Sequence, residues 1–409
     1  MKIKVLIGNM VNAKRIVNIM QEYTIDIDID IDIVFGRYIL NAKSMLGCLS
    51  MASTPTGELV LHTDDRELYE EILYRLKENE LLLEDFKFDN DKYDISAIGE
   101  LLIDFTVKDN KDGDTRLFEQ NPGGAPANVL ACASRLGSKT AFIGKVGSDM
   151  HGIFLKNTLD DENICTKGLL LDSDYFTTLA FVDLSESGER KFSFARKPGA
   201  DTMIRKDEVD YEIIKNSKIF HVGSLSLTDS TCREATFAAL DYAKNNGIMI
   251  SYDPNFRAQL WENIEVAKEY MRKVIPYADV MKISDEEMKI MTDCENYEEA
   301  AKKLCDKGVS IVAVTLGKEG AYVCTSKGGV LVSGFTSKVV DTTGAGDAFW
   351  GAFLHKIASN QKSFKELDIT EIYEYARFAN SAASICVESR GAIKAMPKLQ
   401  SVFSRLIEI

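Results

Sequence analysis

The chain lacks the sequence marks of a disulfide scaffold, a metal centre, a membrane span and a nucleic-acid surface. Its eight cysteines (Cys48, Cys132, Cys165, Cys232, Cys294, Cys305, Cys324 and Cys386) are scattered, with no C-x-x-C pair. Neither a disulfide framework nor a zinc site is expected, and a reducing cytoplasm is the expected compartment. Only four histidines occur, His62, His151, His221 and His355, too far apart in sequence to suggest a metal cluster. No run approaches about 18 consecutive apolar residues, so no membrane span is expected. The opening MKIKVLIGNMVNAKR has no small-residue cleavage site and reads as a first strand, not a signal peptide. Positive charge is in deficit, 49 basic against 63 acidic residues for a net −14. With no basic cluster interleaved with aromatics, nucleic acid is excluded as a partner. A G-x-x-x-x-G-K-[ST] sequence is missing too, which rules out a P-loop. What remains is a chain of 409 residues, 45% hydrophobic, long enough for two or three domains with large cores.

The richest segment is 341–353, DTTGAGDAFWGAF. Gly344 and Gly346 flank Ala345, so the backbone can bend tightly and no bulky side chain blocks a ligand. From Ala348 the pattern is apolar and helix-compatible, which makes this turn a helix N-terminus. Unpaired N–H groups gather there at the positive end of the macrodipole, suited to an anion. Asp347 falls in the first helical turn, where a carboxylate can take a proton from an attacking hydroxyl while the amides of 344–347 stabilise charge on a phosphoryl group. An ordinary glycine turn with an Asp cap fits the same residues.

The chain divides into two unequal blocks. In the first, residues 1–86, Ile and Asp alternate strictly over Ile25–Ile33. A cation-binding tract is one reading; a half-buried antiparallel strand with isoleucines inward is the preferred one. Phe35–Leu40 is its expected partner, Glu58–His62 another strand, and Asp64–Lys77 a helix with Leu68, Ile72, Leu73 and Leu76 on one face. The order, strand, helix, strand, strand, short helix, strand, helix, indicates an α+β open sandwich. Residues 78–91 are charged and connect the blocks, with 87–92 as the linker. In the second block, 93–409, strand-like runs at Ile95–Gly99, Lys218–Val222, Ile248–Asp253, Val280–Ile283 and Ser310–Thr315 alternate with helical stretches. That rhythm predicts an α/β fold, a doubly wound, mostly parallel sheet covered on both faces. Thr177–Asp183 and Arg190–Arg196 alternate differently and flank Gly188, a hairpin signal; segments of about 104–120 and 175–197 would together form a small β lid.

Ligands of open α/β sheets bind at the carboxyl ends of the strands. Five groups fall there: Glu100 and Asp104 after the first strand; Gly123, Gly124 and Asn128 at the next helix start; Phe194–Arg196 leaving the hairpin; Asp253–Asn255–Arg257; and Thr315, Gly317 and Gly320. Each has a local explanation as a turn, cap or breaker. Their common placement at element ends is what a sugar-kinase site requires.

The segments GELLIDF (99–105), NPGGAPANV (121–129), FIGKVGSDMHG (142–152), FARKPGAD (194–201), SYDPNFR (251–257), KISDEE (282–287), VTLGKEGAY (314–322) and DTTGAGDAFWGAF (341–353) occur in the order of the ribokinase/PfkB carbohydrate kinases. The second block resembles that family, and within it the fructokinases, over more than three quarters of the chain. The resemblance implies a ribokinase-like fold and transfer of the γ-phosphoryl group of ATP to the 6-hydroxyl of D-fructose. It implies Asp347 as base, with Gly344, Ala345 and Gly346 as anion hole. Asp104, Gly123, Gly124, Asn128, Arg196, Asn255 and Arg257 would serve the sugar. Thr315, Gly317, Gly320, Gly344, Gly346 and Asn380 would serve the nucleotide. Glu287 would organise Mg2+ through water, and Asp341 and Thr343 would hold a monovalent cation, K+. Where the family has Asn in an Asn-x-x-Glu element this chain has Ser284, whose hydroxyl can still hydrogen-bond, so activity is expected to survive. A kinase for ribose or 2-keto-3-deoxygluconate, and a sugar-sensing regulator with little turnover, are the alternatives. The lid is similar to those of family members that dimerise by pairing lids, which implies a homodimer.

The first block resembles the phosphocarrier protein HPr, most closely at LNAKSMLGCLS (40–50). Ser44 falls where that family is phosphorylated by a regulatory kinase. Asn12 stands in place of the phosphocarrier histidine and Lys14 in place of the accompanying arginine. An amide cannot form a phosphoimidazole, so a structural or regulatory appendage is expected, not a working phosphocarrier.

Overall fold

The computed structural model describes residues 2–7, 10–22, 30–35, 38–44, 56–63, 65–79, 81, 92–108, 117–184, 190–360 and 362–407. They fall into two units, Met1–Asn90 and Asp91–Ile409. In the first unit the strands β1 (Lys2–Leu6), β2 (Ile31–Phe35), β3 (Tyr38–Asn41) and β4 (Thr56–Leu61) form an antiparallel sheet in the order β1-β4-β2-β3. The helices α1 (Met10–Glu22) and α2 (Arg66–Glu78) share one core with it. Period-two alternation explains the sheet: Ile31 and Ile33 are buried while Asp30 faces water, and Asp32 sits 3.0 Å from His62 Nε2. On α2 the buried positions are Leu68, Ile72 and Leu76, the expected helical spacing. Residues 25–29 of the Ile/Asp tract, 45–50 of the HPr-like stretch and Gly188 of the expected hairpin lie outside the described residues.

The second unit runs β5 (Tyr93–Ile98), β6 (Leu102–Lys108), β7 (Leu117–Gly123), α3 (Ala125–Arg135), β8 (Thr140–Gly147), α4 (Met150–Asp161), β9 (Ile164–Asp172), β10 (Leu179–Leu184), β11 (Arg190–Ala195), α5 (Tyr211–Lys215), β12 (Ser217–Val222), α6 (Ser230–Asn245), β13 (Met249–Tyr252), α7 (Ile264–Val274), β14 (Val280–Ser284), α8 (Asp285–Thr292), α9 (Tyr297–Asp306), β15 (Ile311–Thr315), β16 (Gly320–Thr325), β17 (Gly328–Ser333), α10 (Ala345–Ser359), α11 (Ile369–Cys386) and α12 (Leu399–Ile407). Nine strands form one sheet in the order β17-β16-β15-β14-β13-β12-β5-β8-β9. From β9 to β15 all neighbours are parallel, whereas β16 and β17 pair antiparallel at one end. The sheet is thus mixed, and its last two strands extend beyond the Ser310–Thr315 run where the strand rhythm of the sequence stops.

Alternate residues feed two cores. Ile95, Ala97, Ile219, Val280 and Ala313 pack with α3, α4, α10 and α11. Ile98, Phe220, Ile250, Met281 and Val312 pack with α6, α7, α8 and α9 on the other face. Parallel strands buried on both faces read as continuous apolar runs, which is why they were visible in the sequence. β6, β7, β10 and β11 make a separate sheet, ordered β11-β10-β6-β7, in the expected lid segments. One hydrogen-bond chain registers α10 on the main sheet. Trp350 Nε1 donates to Ser251 Oγ (2.9 Å), which lies 3.0 Å from His221 Nδ1. Burial first, then the nearby Lys282 charge, holds His221 down at about 3, so the imidazole is neutral in this chain of contacts.

Candidate active site

The carboxyl ends of β5, β13 and β14, the start of α3 and the start of α10 surround a cavity of about 260 Å3. Asp104, Gly124, Asn128, Asn255, Arg257, Ser284, Glu287, Thr343, Gly344, Gly346 and Asp347 all line it. These eleven, together with Glu100 and Phe194, were singled out in the sequence, and they converge on one hollow.

At its floor, Asp347 is 7% exposed. Asn128 Nδ2 donates to Asp347 Oδ2 at 2.7 Å, and Asn255 Nδ2 to Oδ1 at 3.1 Å. Burial raises the Asp347 pKa; Lys282, the Asn128 hydrogen bond, Arg257 and the Asn255 hydrogen bond oppose that rise. A desolvated carboxylate aimed by two amides has the properties of a general base. Gly344, with φ of +80°, is the N-cap of α10 and supplies no side-chain cap. The first-turn amides thus remain open to the cavity at the positive helix end. Ala345 differs from its neighbours: its N–H points back at the Thr342 carbonyl oxygen (3.3 Å), and it does not line the cavity.

The glycine pair before α3 is required by close approach. A Cβ on Gly123 would collide with the Asp104 carboxylate, and one on Gly124 with the Glu100 carbonyl oxygen; Gly124 also has φ of +117°. Glu100 was not given a role in the sequence. Its Oε1 accepts from Ala125 N (2.8 Å) at the α3 N-terminus, and its buried Oε2 has no hydrogen-bond partner among the described residues. Burial pushes its carboxyl up to about 7, with the Ala125 amide and Arg196 pulling the other way.

Glu287 ties two loops together. Its Oε1 accepts from Phe256 N (2.7 Å) and its Oε2 from Ser284 N (2.8 Å). Ser284 Oγ in turn accepts from Glu287 N (3.2 Å). This capping box is the work that the serine does in place of the family asparagine. Asp341 Oδ1 accepts from Thr343 N and Oγ1 (2.9 and 2.7 Å), and Oδ2 from Gly391 N (3.1 Å), so Asp341, Thr343 and Gly391 do come together beside the glycine turn.

The remaining expected residues lie elsewhere. Thr315 stands next to Ser284 in the β14–β15 register but does not line the cavity. Gly320 pairs with Ser333, and Asn380 Nδ2 donates to the carbonyl oxygens of Val332 (2.9 Å) and Ser333 (3.1 Å). Gly317 lies between Thr315 and Gly320, so these four form a second group along β15–β17. Arg196 is engaged by protein partners at the edge of the site. Nε and Nη2 engage Asp201, Nη1 donates to Thr228 Oγ1 (2.7 Å) and Nη2 to the Leu225 carbonyl (2.9 Å). Its guanidinium is thus occupied by protein partners and does not line the cavity. The residue that sequence reasoning missed is Lys282, which does line it; a lysine inside the apolar run VMKIS was the signal available.

Known proteins give the same picture. Residues 92–399 match the family described as "pfkB family carbohydrate kinase". The probable fructokinase-6, chloroplastic, of Arabidopsis thaliana is 40% identical over 318 residues, 77% of this chain and 82% of that protein. A crystal structure of fructokinase from Xylella fastidiosa with bound ATP is 34% identical, with a TM-score of 0.71, covering 77% of this chain and 98% of that one. The fructokinase of Vibrio cholerae O395 in its fructose, ADP and calcium ion bound form is 32% identical, again at a TM-score of 0.71, covering 77% and 99%. Among the described residues no helix is long and apolar enough to cross a membrane. The chain belongs to the pfkB family of carbohydrate kinases.

Proposed function

We propose that the second unit is an ATP-dependent fructose kinase, transferring the γ-phosphoryl group of ATP to the 6-hydroxyl of D-fructose. The observation that carries this reading is the buried Asp347, held by Asn128 and Asn255 at the uncapped start of α10. The fructokinases it resembles supply the sugar and the nucleotide. The sugar O6 forms the new bond to phosphorus as the bond to the β-phosphate bridging oxygen breaks. The O6 proton passes to Asp347, and ADP leaves with the bridging electron pair. Asp104, Asn128 and Asn255 position the sugar, and the Gly344, Gly346 and Asp347 amides face the transferring charge. Thr315, Gly317, Gly320 and Asn380 form the nucleotide side.

Magnesium held through water fits Glu287, the carboxylate that lines the cavity beside the glycine turn. When bound, it neutralises phosphate charge. Asp341 and Thr343 are assigned to K+. A coupled ADP-release screen over fructose, ribose, tagatose 6-phosphate and 2-keto-3-deoxygluconate tests the reading. Fructose is expected to give the highest kcat/KM by on the order of 10²-fold, the discrimination that small differences in pocket contacts supply. A different preferred sugar, or no sugar-dependent ADP release, replaces it.

The first unit is read as a structural appendage, and the lid as a homodimer contact. Phe118 and Phe181 are 41% and 37% exposed on the lid sheet and pack edge-to-face, with Phe105 stacked on Phe181. Residues 93–409 alone are therefore expected to keep kcat, KM and the dimeric sedimentation of the full chain within about twofold, close to assay error on a free-energy scale. A changed KM after truncation, or phosphate on the exposed Ser44 after treatment with a regulatory kinase, makes the unit a regulator instead.

A further inference from the structure

Lys282 and Asp253 form a buried ion pair beside the glycine turn. Lys282 lies on β14 and Asp253 directly follows the adjacent parallel strand β13, and both are almost fully buried, at 5% and 1% exposure. Nζ is 2.9 Å from Asp253 Oδ2. A buried ion pair adds little stability over an apolar pair of the same volume, because desolvation offsets the attraction. Its placement is the informative part: Lys282 lines the cavity together with Gly346 and Asp347. A Cβ on Gly346 would lie 3.0 Å from Nζ, so the absent side chain there lets the ammonium rest against the first turn of α10.

The hydrogen bonding is incomplete on both sides. Asp253 is the one hydrogen-bond acceptor of Lys282 among the described residues, while an ammonium carries three N–H donors. Asp253 Oδ1 has none. Burial works against the Lys282 charge but is outweighed by Asp253, Glu287 and Asp347, so the ammonium stays protonated. The cation therefore has free donors, a fixed stem and an open face toward the helix end that binds anions.

We propose that Lys282 is a further catalytic residue, contacting the transferring phosphoryl group beside the Gly346 amide, and that Asp253 is the positioning residue that aims it. This rests on the phosphoryl-transfer reading above. The lysine takes no proton; it stabilises negative charge on the phosphoryl oxygens while O6 replaces the β-phosphate oxygen on phosphorus.

The test uses the full chain and four variants: Lys282→Met, Lys282→Arg, Asp253→Asn and the uncharged double variant Lys282→Met/Asp253→Asn, which removes the buried charge that could unfold the first. Steady-state kinetics with fructose are combined with calorimetric binding of ATP, ADP and fructose, and with thermal melting. Lys282→Met is expected to lower kcat by on the order of 10²- to 10³-fold, as loss of one preorganised donor does. It should weaken ATP binding about tenfold, as loss of one charge-assisted contact does, leaving ADP and fructose binding within about twofold. Lys282→Arg should recover part of the loss. Asp253→Asn should cost about tenfold alone and nothing further in the Lys282→Met background, the non-additivity of a coupled pair. An unchanged ratio of ATP to ADP affinity in Lys282→Met and in the double variant overturns the proposal. So does an equal loss of ATP, ADP and fructose binding with a lower melting temperature, the signature of a structural pair. If the parent chain shows no sugar-dependent turnover, the kinase reading falls, and the ATP-to-ADP comparison still decides Lys282.

Discussion

Asp347→Asn is expected to lower kcat with fructose by at least about 10³- to 10⁴-fold, the upper range for loss of a positioned base, while fructose affinity changes less than about threefold. The substitution keeps shape, replaces one carboxylate oxygen by an NH2 group and removes the basic charge. Asn128 Nδ2 and Asn255 Nδ2 both donate to Asp347, so an amide there would set one donor against another. Asn128 can relieve this, because its Oδ1 has no partner among the described residues and a side-chain flip presents it to the new N–H. The fold and the sugar pocket are therefore expected to survive. The pH profile gives a second check. Burial holds the Asp347 pKa above the ordinary carboxylate value, and the basic form is the active one. Activity is then present above that pKa and lost as pH falls through it, on an acid limb above the ordinary carboxylate range. Full kcat in Asp347→Asn would remove Asp347 from the chemistry, whatever its position.

How much of this was legible depended on whether a feature was local. The 341–353 turn could be read in full because glycines, helix start and carboxylate lie within one turn of chain, and the structure places Gly344, Gly346 and Asp347 on one cavity wall. The central strands were legible because burial on both faces leaves continuous apolar runs. The strands β16 and β17 were not, since Gly320, Gly328 and Gly329 interrupt the pattern at an antiparallel end of the sheet. Lys282 carried a readable anomaly, a charge inside VMKIS, but its partner Asp253 is 29 residues away and only strand pairing brings them together. Arg196 shows the converse. Sequence placed it at the site because its segment matches a family motif. Its guanidinium is claimed by Asp201, Thr228 and Leu225, and no local pattern announces that convergence.

That occupied guanidinium leads to the second large effect, one on stability. Asp201 is 4% exposed and accepts from Arg196 and from Thr178 Oγ1. Burial works against the Arg196 charge, and Asp201 outweighs it, holding the guanidinium above its usual range. Asp201→Ala removes the carboxylate that pairs directly with a buried cation, a change that costs about 3–5 kcal/mol. The melting temperature of the chain should fall by several degrees, scaled by its size. Replacing both partners, Arg196→Met with Asp201→Leu, should recover most of that loss, since a well-packed apolar pair can equal a buried ion pair. Calorimetric melting of the parent and both variants measures this. Fructose KM in the double variant separates the roles of Arg196. A value within about threefold of the parent fits an arginine that braces the end of β11 against the 199–203 and 225–228 segments, because uniform binding is then untouched. A rise of tenfold or more with restored melting temperature would return Arg196 to the sugar site, and would mean that its hold on Asp201 loosens when sugar binds.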